Sequence, residues 1–224
     1  GSEVNFTTPS INTVTDIDGN IYNTVTIGTQ TWLKENLKVT HYRNGEAIAN
    51  VTDNAAWSNL KSGAYCWYDN NETINKPIYG ALYNYYTTVD NRNLCPTGWH
   101  VPTNAEWTTL ETYLGGSSVA GGKLKENGTA HWLSPNSADN SSNFTALPGG
   151  YRNSNNGFFQ VIGGSGLWWS KTEDNNTYAW DRNMANTSIL VDRGSTYKRD
   201  GSSVRCLQGE SVPIAIGDIY QGGI

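Results

Sequence analysis

The sequence predicts an α+β domain, loop-rich, with short strands and short helical segments. Three observations carry that prediction. Short alternating segments end on Gly- or Asn-rich turns, one amphipathic segment has a complete helix-start signal, and the composition is unusual. The 224 residues include nine Trp, thirteen Tyr and 24 Gly, but four Phe and one Met. Amphipathic aromatics among Gly, Asn, Ser and Thr suit loop-rich β folds and wet binding surfaces.

Residues 1–13 read as a non-native start, with Gly1-Ser2 resembling a cloning scar, and a polar lead-in; a secretion signal removed with the native start is compatible with this. Asp16-Ile17-Asp18-Gly19-Asn20 is a turn, since Asp-Gly takes the positive φ a hairpin needs, and residues 21–28 alternate as a strand. Trp32 and Leu37 follow as core residues. Residues 43–63 read as loop with one helical turn near Asn54–Trp57, 64–68 as a strand, and 69–72 as a polar loop before Pro77. Ala81, Leu82 and Tyr85 fit a short helix face. Trp99 and Val101 form a strand ended by Pro102. Thr103 as N-cap and Glu106 three residues later make a capping box, and the helix stripe Trp107, Leu110, Leu114 stops at Gly115-Gly116. Residues 119–125 read as a second short helix or turn. Segments 144–152 and 158–162 flank a hairpin turn, Trp168-Trp169-Ser170 opens a strand, and 203–207 closes the domain. Residues 208–224 read as a linker and the start of a following module.

A net charge of −5 argues against electrostatic binding to nucleic acid. No apolar run is long enough to span a bilayer, so no direct membrane insertion is expected. Cys66, Cys95 and Cys206 form no CxxC or Cys/His cluster, which disfavours zinc. An odd count permits one disulfide and one leftover thiol. Cys95 with Cys206 is the first pairing to consider, and Cys66 reads as a small buried apolar residue. His100 has no nucleophile at recognisable spacing and reads as structural. The Gly pairs at 115–116, 121–122, 149–150 and 163–164 lack a phosphate-loop pattern and read as turns and helix stops. These features predict no enzyme and no required cofactor.

The ordered segments Asp16–Leu37, Tyr79–Asn84, Cys95–Thr103, Leu147–Arg152, Trp168–Ser170 and Ser203–Leu207 resemble the Fibrobacter succinogenes major paralogous domain, over about residues 14–207. That resemblance implies a surface or secreted bacterial protein. More distantly, the Pro-Thr-x-x-Glu-Trp helix start and the closing Val-Arg strand resemble the formylglycine-generating-enzyme subtype of the C-type lectin-like fold, which implies small mixed and antiparallel sheets, two short helices and long loops. The enzymatic branch uses a late cysteine pair; only Cys206 lies late here, so that chemistry is not carried over. Related folds often hold calcium in Asp/Asn loops, so a structural calcium is compatible with the resemblance.

A further resemblance concerns residues 174–200. Variable proteins of diversity-generating retroelements carry asparagine-type codons mutated at adenines, which excludes Lys, Glu, Gln, Met and Trp. Asp174, Asn175, Asn176, Thr177, Tyr178, Asp181, Asn183, Ala185, Asn186, Thr187, Ser188, Ile189, Asp192, Gly194, Ser195, Thr196, Tyr197, Arg199 and Asp200 fit the permitted set. Trp180, Met184 and Lys198 do not, and with Ala179, Arg182, Leu190, Val191, Arg193 and Gly201 they read as frame. Trp169 and Trp180 are expected in the core. The resulting expectation is non-catalytic recognition of a protein or glycan ligand at a cell, pilus or virion surface. The rival reading is a structural module of a multidomain surface protein with an ordinary Asn/Thr-rich loop, and a formylglycine-generating-type enzyme is a remote third.

Overall fold

The opening turn forms as its Asp-Gly step predicts in the computed structural model, which describes residues 12–209. The expected lead-in up to residue 11 and the linker from 210 onward lie outside the described residues. Strands β1 (Thr13–Thr15) and β2 (Ile21–Ile27) pair antiparallel across that turn, with Gly19 at φ 80°. β3 (Gln30–Leu33) continues the sheet, and Trp32 and Leu37 are both buried.

The middle of the chain is more regular than its polar sequence suggests. After β4 (Ala49–Asn50), Asp53 caps α1 (Asn54–Ser58) by accepting from the Ala56 amide. β5 (Ala64–Cys66) leads through a 3₁₀ turn at Tyr68–Asn70 into α2 (Glu72–Tyr79). Sequence reading expects a loop before Pro77, yet a helix forms there. Asn71 caps it, Lys76 pairs with Glu72 one turn back, and Asn75 donates to the Tyr68 carbonyl. Pro77 falls two residues before the helix end, where one lost backbone bond is tolerable.

The helix expected around Ala81–Tyr85 is instead β6 (Leu82–Tyr83) followed by the single turn α3 (Tyr85–Thr88). Gly80 breaks the helix at φ 72°, and a Cβ there would lie 2.7 Å from the Leu37 carbonyl oxygen. Beyond it, Tyr83 exchanges backbone bonds with Ser202, so tertiary pairing overrides the apolar spacing.

β7 (Trp99–His100) precedes α4 (Asn104–Tyr113), whose capping box is complete: Thr103 and Glu106 bond reciprocally. α5 (Ser117–Leu124) follows. Gly121 and Gly122 sit inside α5 and are neither a turn nor a stop. A Cβ on Gly121 would lie 2.5 Å from the Leu190 carbonyl oxygen, so these residues admit close approach of the 189–190 backbone. β8 (Tyr151–Arg152) and β9 (Phe159–Gln160) form the expected hairpin. The strand expected to open at Trp168 is β10 (Ser165–Glu173), and the polar stretch 174–200 adds two more strands to its sheet, β11 (Tyr178–Ala185) and β12 (Asp192–Tyr197).

The closing strand is shorter and later than expected, β13 (Leu207–Gln208), which completes a five-stranded sheet ordered β1-β2-β3-β13-β7. Residues 201–206 thread the centre, bonding in turn to Arg152, Tyr83, Leu167, Leu37 and Leu33. Five α-helices are therefore present among the described residues, where the C-type lectin-like resemblance implies two short ones.

Two large apolar clusters flank the middle of the chain. Trp169 belongs to one and its neighbour Trp168 to the other, so both are fully buried on opposite faces of β10. Each indole N–H finds an acceptor, Asn36 for Trp168 and the Tyr83 carbonyl for Trp169. Cys95 and Cys206 form a disulfide, and Cys66 is a buried free thiol.

Candidate functional site

The β10–β12 sheet gathers most of the residues singled out in 174–200, but on two different faces. Antiparallel register pairs Trp169, Asp181 and Gly194 in one row and Leu167, Asn183 and Asp192 in the next. Side chains alternate along a strand, so Asp181, Asn183 and Ala185 share one face with Asp192, Gly194 and Thr196. Trp180, Arg182 and Met184 take the other, together with Tyr178, Arg193, Ser195 and Tyr197.

The first face borders an open cleft of about 320 Å³ lined by Tyr151, Val161, Ser165, Leu167, Asn183, Thr196 and Asp200. Asp181 is buried on this face, between Asn183 and Thr196 in the register, and leans over Gly194. A Cβ on residue 194 would lie 2.4 Å from Asp181 Oδ1. Burial pushes the Asp181 carboxyl up to about 7, with Asp192 adding to that rise. The Thr196 hydroxyl and the Arg182 charge offset it only in part. Asp181 Oδ1 and Asn183 Oδ1 are both buried without a hydrogen-bond donor among the described residues. Asp200, also buried and raised by burial, accepts from the Ser154 amide at 2.7 Å.

The opposite face is covered at one end and open at the other. Arg182 is fully buried and donates to Glu111 and Asn104 of α4, and Met184 packs in the second core cluster. Trp180, expected in the core, is only half-buried. The Arg193 guanidinium lies 4.3 Å from its ring centroid, so a neighbouring strand's cation covers it in place of core side chains. Tyr178 and Tyr197 sit side by side with ring centroids 4.6 Å apart. The turn Asp174, Asn175, Asn176 and Thr177 is exposed; Asn175 Oδ1 accepts from the Thr177 and Tyr178 amides, and Ser195 donates to Asp174. Buried Lys198 ties the turn down by donating to the Glu173 carboxylate and the Asn176 carbonyl.

The other turn, carrying Asn186, Thr187, Ser188 and Ile189, rests against α5. Lys125 Nζ donates to the Ala185 and Ser188 carbonyls at 2.7 Å each, and burial pulls its ammonium down to about 8. Arg199 lies apart from both faces' centres and donates to the Ser58 carbonyl. The candidates thus divide into a cleft face and an aromatic end with its turn, with Asp181 and Asp200 buried.

The chain now has a family. The Fibrobacter succinogenes major domain model matches residues 25–208. The chain belongs to that family. No curated protein and no solved structure matches it.

In this major domain, Tyr151, Val161, Ser165 and Leu167 line the cleft although sequence reasoning does not single them out. Ser165 and Leu167 belong to β10 itself, and the segment carrying Tyr151 reaches the sheet where Gly150 bridges Gly166 and Arg152 bridges Gly201. Val161 carries one local mark, φ 56°, uncommon for a β-branched residue; nothing in its sequence announces it. His100 holds the structural place expected: one ring nitrogen meets Glu106 at 2.9 Å and the other the Gly209 carbonyl at 2.8 Å. Among the described residues no group of three or more His, Cys, Asp or Glu could hold a metal ion, and no helix is long and apolar enough to cross a membrane. In the Asp16–Asn20 turn, Asp16 accepts from Asn20 and Tyr22, and Asp18 from Thr40.

Proposed function

We propose that this major domain is a non-catalytic recognition module of C-type lectin-like fold, displayed at a bacterial or virion surface. It would bind a protein or glycan through the cleft face of β10–β12 and its edges. The observation that carries the reading is the segregation along β11. Asp181, Asn183 and Ala185, which fit an asparagine-codon pattern, face the cleft side, while Trp180, Arg182 and Met184 face away. Tyr178, Ser195 and Tyr197, which also fit it, lie at the open end of the other face, beside half-buried Trp180. Cysteine chemistry adds support for a non-catalytic role: Cys95 and Cys206 are bonded to each other, and burial pushes the Cys66 thiol up to about 12.

The test is binding to glycan and cell-surface protein arrays, with Asn183→Ala and Thr196→Ala in parallel. A ligand whose signal falls at least tenfold in these variants is expected. A blank array, or binding untouched by substitutions throughout 174–200, would overturn the reading and leave a structural module. Sibling gene copies whose differences scatter outside 174–200 would remove the retroelement link.

A further inference from the structure

We infer that the open end of the sheet's other face is a second binding site, which takes a sugar ring bearing a carboxylate. Arg193 is its anchor, and Trp180, Ser195 and the Tyr178–Tyr197 pair complete it. The site lies on the side of the sheet away from the cleft and stands independently of it.

Arg193 is the exception among the arginines. Arg43, Arg92, Arg152, Arg182, Arg199 and Arg205 each donate to a named acceptor. Arg193 is exposed and neither donates to an acceptor nor pairs with a carboxylate among the described residues. Its guanidinium rests on the Trp180 ring, 4.3 Å from the centroid. That stack fixes the guanidinium and leaves its planar N–H fork free, the geometry that binds a carboxylate bidentately. Arg182, its cross-strand neighbour, does not compete for an anion, because Glu111 neutralises it within the core. Asp192 precedes Arg193 but takes the cleft side by alternation, and Asp174 already accepts from the Ser195 hydroxyl. The Trp180 indole N–H also has no acceptor among the described residues. Unlike the indoles of Trp32, Trp57 and Trp67, it is not enclosed, so it adds a second donor that a ligand can reach.

The surroundings favour a sugar over a peptide side chain. Tyr178 stands opposite Tyr197 and Trp180 opposite Ser195, with Arg193 one row further along the strand. At about 3.4 Å per residue the stripe spans about 14 Å. It contains no aliphatic side chain to seat an apolar peptide anchor, whereas aromatic surface with hydroxyls suits a polyhydroxylated ring. The net charge of −5 repels polyanions, so one positioned guanidinium selects a single carboxylate rather than a highly charged chain.

The experiment titrates the folded chain with methyl glucuronide, following backbone amide and indole N–H shifts by NMR. Methyl glucoside serves as the neutral sugar, acetate as the ringless carboxylate and N-acetyl-aspartate amide as the acidic side chain. Saturable shifts at the Trp180 indole and at residues 178, 193, 195 and 197 are expected with the glucuronide, with the other three probes about tenfold weaker or more. Arg193→Gln, at an exposed position, should weaken glucuronide binding about tenfold or more. Arg193→Lys should recover only part of it, since an ammonium cannot form the bidentate pair. Asn183→Ala, on the cleft side, should leave it unchanged. No saturable shift, an equal response to methyl glucoside, or affinity retained in Arg193→Gln would overturn the inference. Equal binding of acetate or the aspartate amide would overturn it as well, leaving a carboxylate contact without sugar recognition. Glucuronide binding lost in Asn183→Ala and kept in Arg193→Gln would move the acidic sugar to the cleft, overturning this inference while supporting the cleft reading.

Discussion

Replacing Asp181 by Asn should make the protein more stable at alkaline pH and leave it little changed in acid. An ordinary aspartate titrates near 3.8, and burial pushes this one to about 7. At about 1.4 kcal/mol per tenfold change in proton affinity, that displacement corresponds to up to about 4 kcal/mol. The sign follows from proton counting. Below pH 3.8 both folded and unfolded chains hold the proton, so the group contributes nothing. Between about 4 and 7 the unfolded chain has released it while the folded chain has not, and stability falls as pH rises. Above 7 the full penalty is present. Asn has nearly the same shape and no charge, so it lacks that penalty. Urea unfolding of parent and variant at pH 3, 5 and 8 measures it. Asp90, held low by its Arg92 hydrogen bonds, shifts stability the other way, but equally in both proteins, and cancels in the difference. The variant's advantage should grow by up to about 4 kcal/mol between pH 3 and 8. An advantage independent of pH would refute the assignment of a desolvated Asp181.

Other consequences are equally direct. Gly194→Ala should cost about 1–3 kcal/mol through overpacking against Asp181, and most of that cost should vanish in an Asp181→Ala background; additive double-variant unfolding energies would contradict the contact. Reducing the Cys95–Cys206 bond, which spans 111 residues, should lower stability by about 2–5 kcal/mol, read as a shift in urea midpoint. Glu111→Ala leaves the Arg182 guanidinium buried without its carboxylate and should cost about 3–5 kcal/mol in chemical unfolding. Val161→Gly should be neutral or stabilising by up to about 1 kcal/mol, because relief of a left-handed φ offsets the entropy of glycine; a clear loss in thermal unfolding would show that the Val161 side chain matters more than its backbone.

Much of the fold is legible where the signal is local. The Asp18-Gly19 turn, the alternation of Ile21–Ile27 and the Thr103–Glu106 box each depend on residues within one turn or strand of each other, and each forms. Elements that fail depend on distant partners. Leu82-Tyr83 becomes a strand because Ser202 supplies its backbone pairing, and α2 forms despite Pro77 because Asn75 and Lys76 meet Tyr68 and Trp67. Burial of both Trp168 and Trp169 is likewise invisible to a period-two pattern, which allows one inward face only until a second core covers the other.

The candidate site divides in the same way. By itself the sequence determined that residues 174–200 mix small polar residues with a few bulky ones, Trp180, Met184 and Lys198, and that the Cys95–Cys206 pairing was available. Only the tertiary structure decided that β11 and β12 turn Asn183 and Thr196 toward a cleft completed by Tyr151, Val161 and Leu167. It also decided that Asp181 is desolvated beside Gly194, 13 positions away in sequence, and that Trp180 stays at the surface under Arg193. The physical reason is that residue type and spacing set local turns and alternation, whereas burial, charge compensation and cleft shape depend on chain segments that meet only after folding.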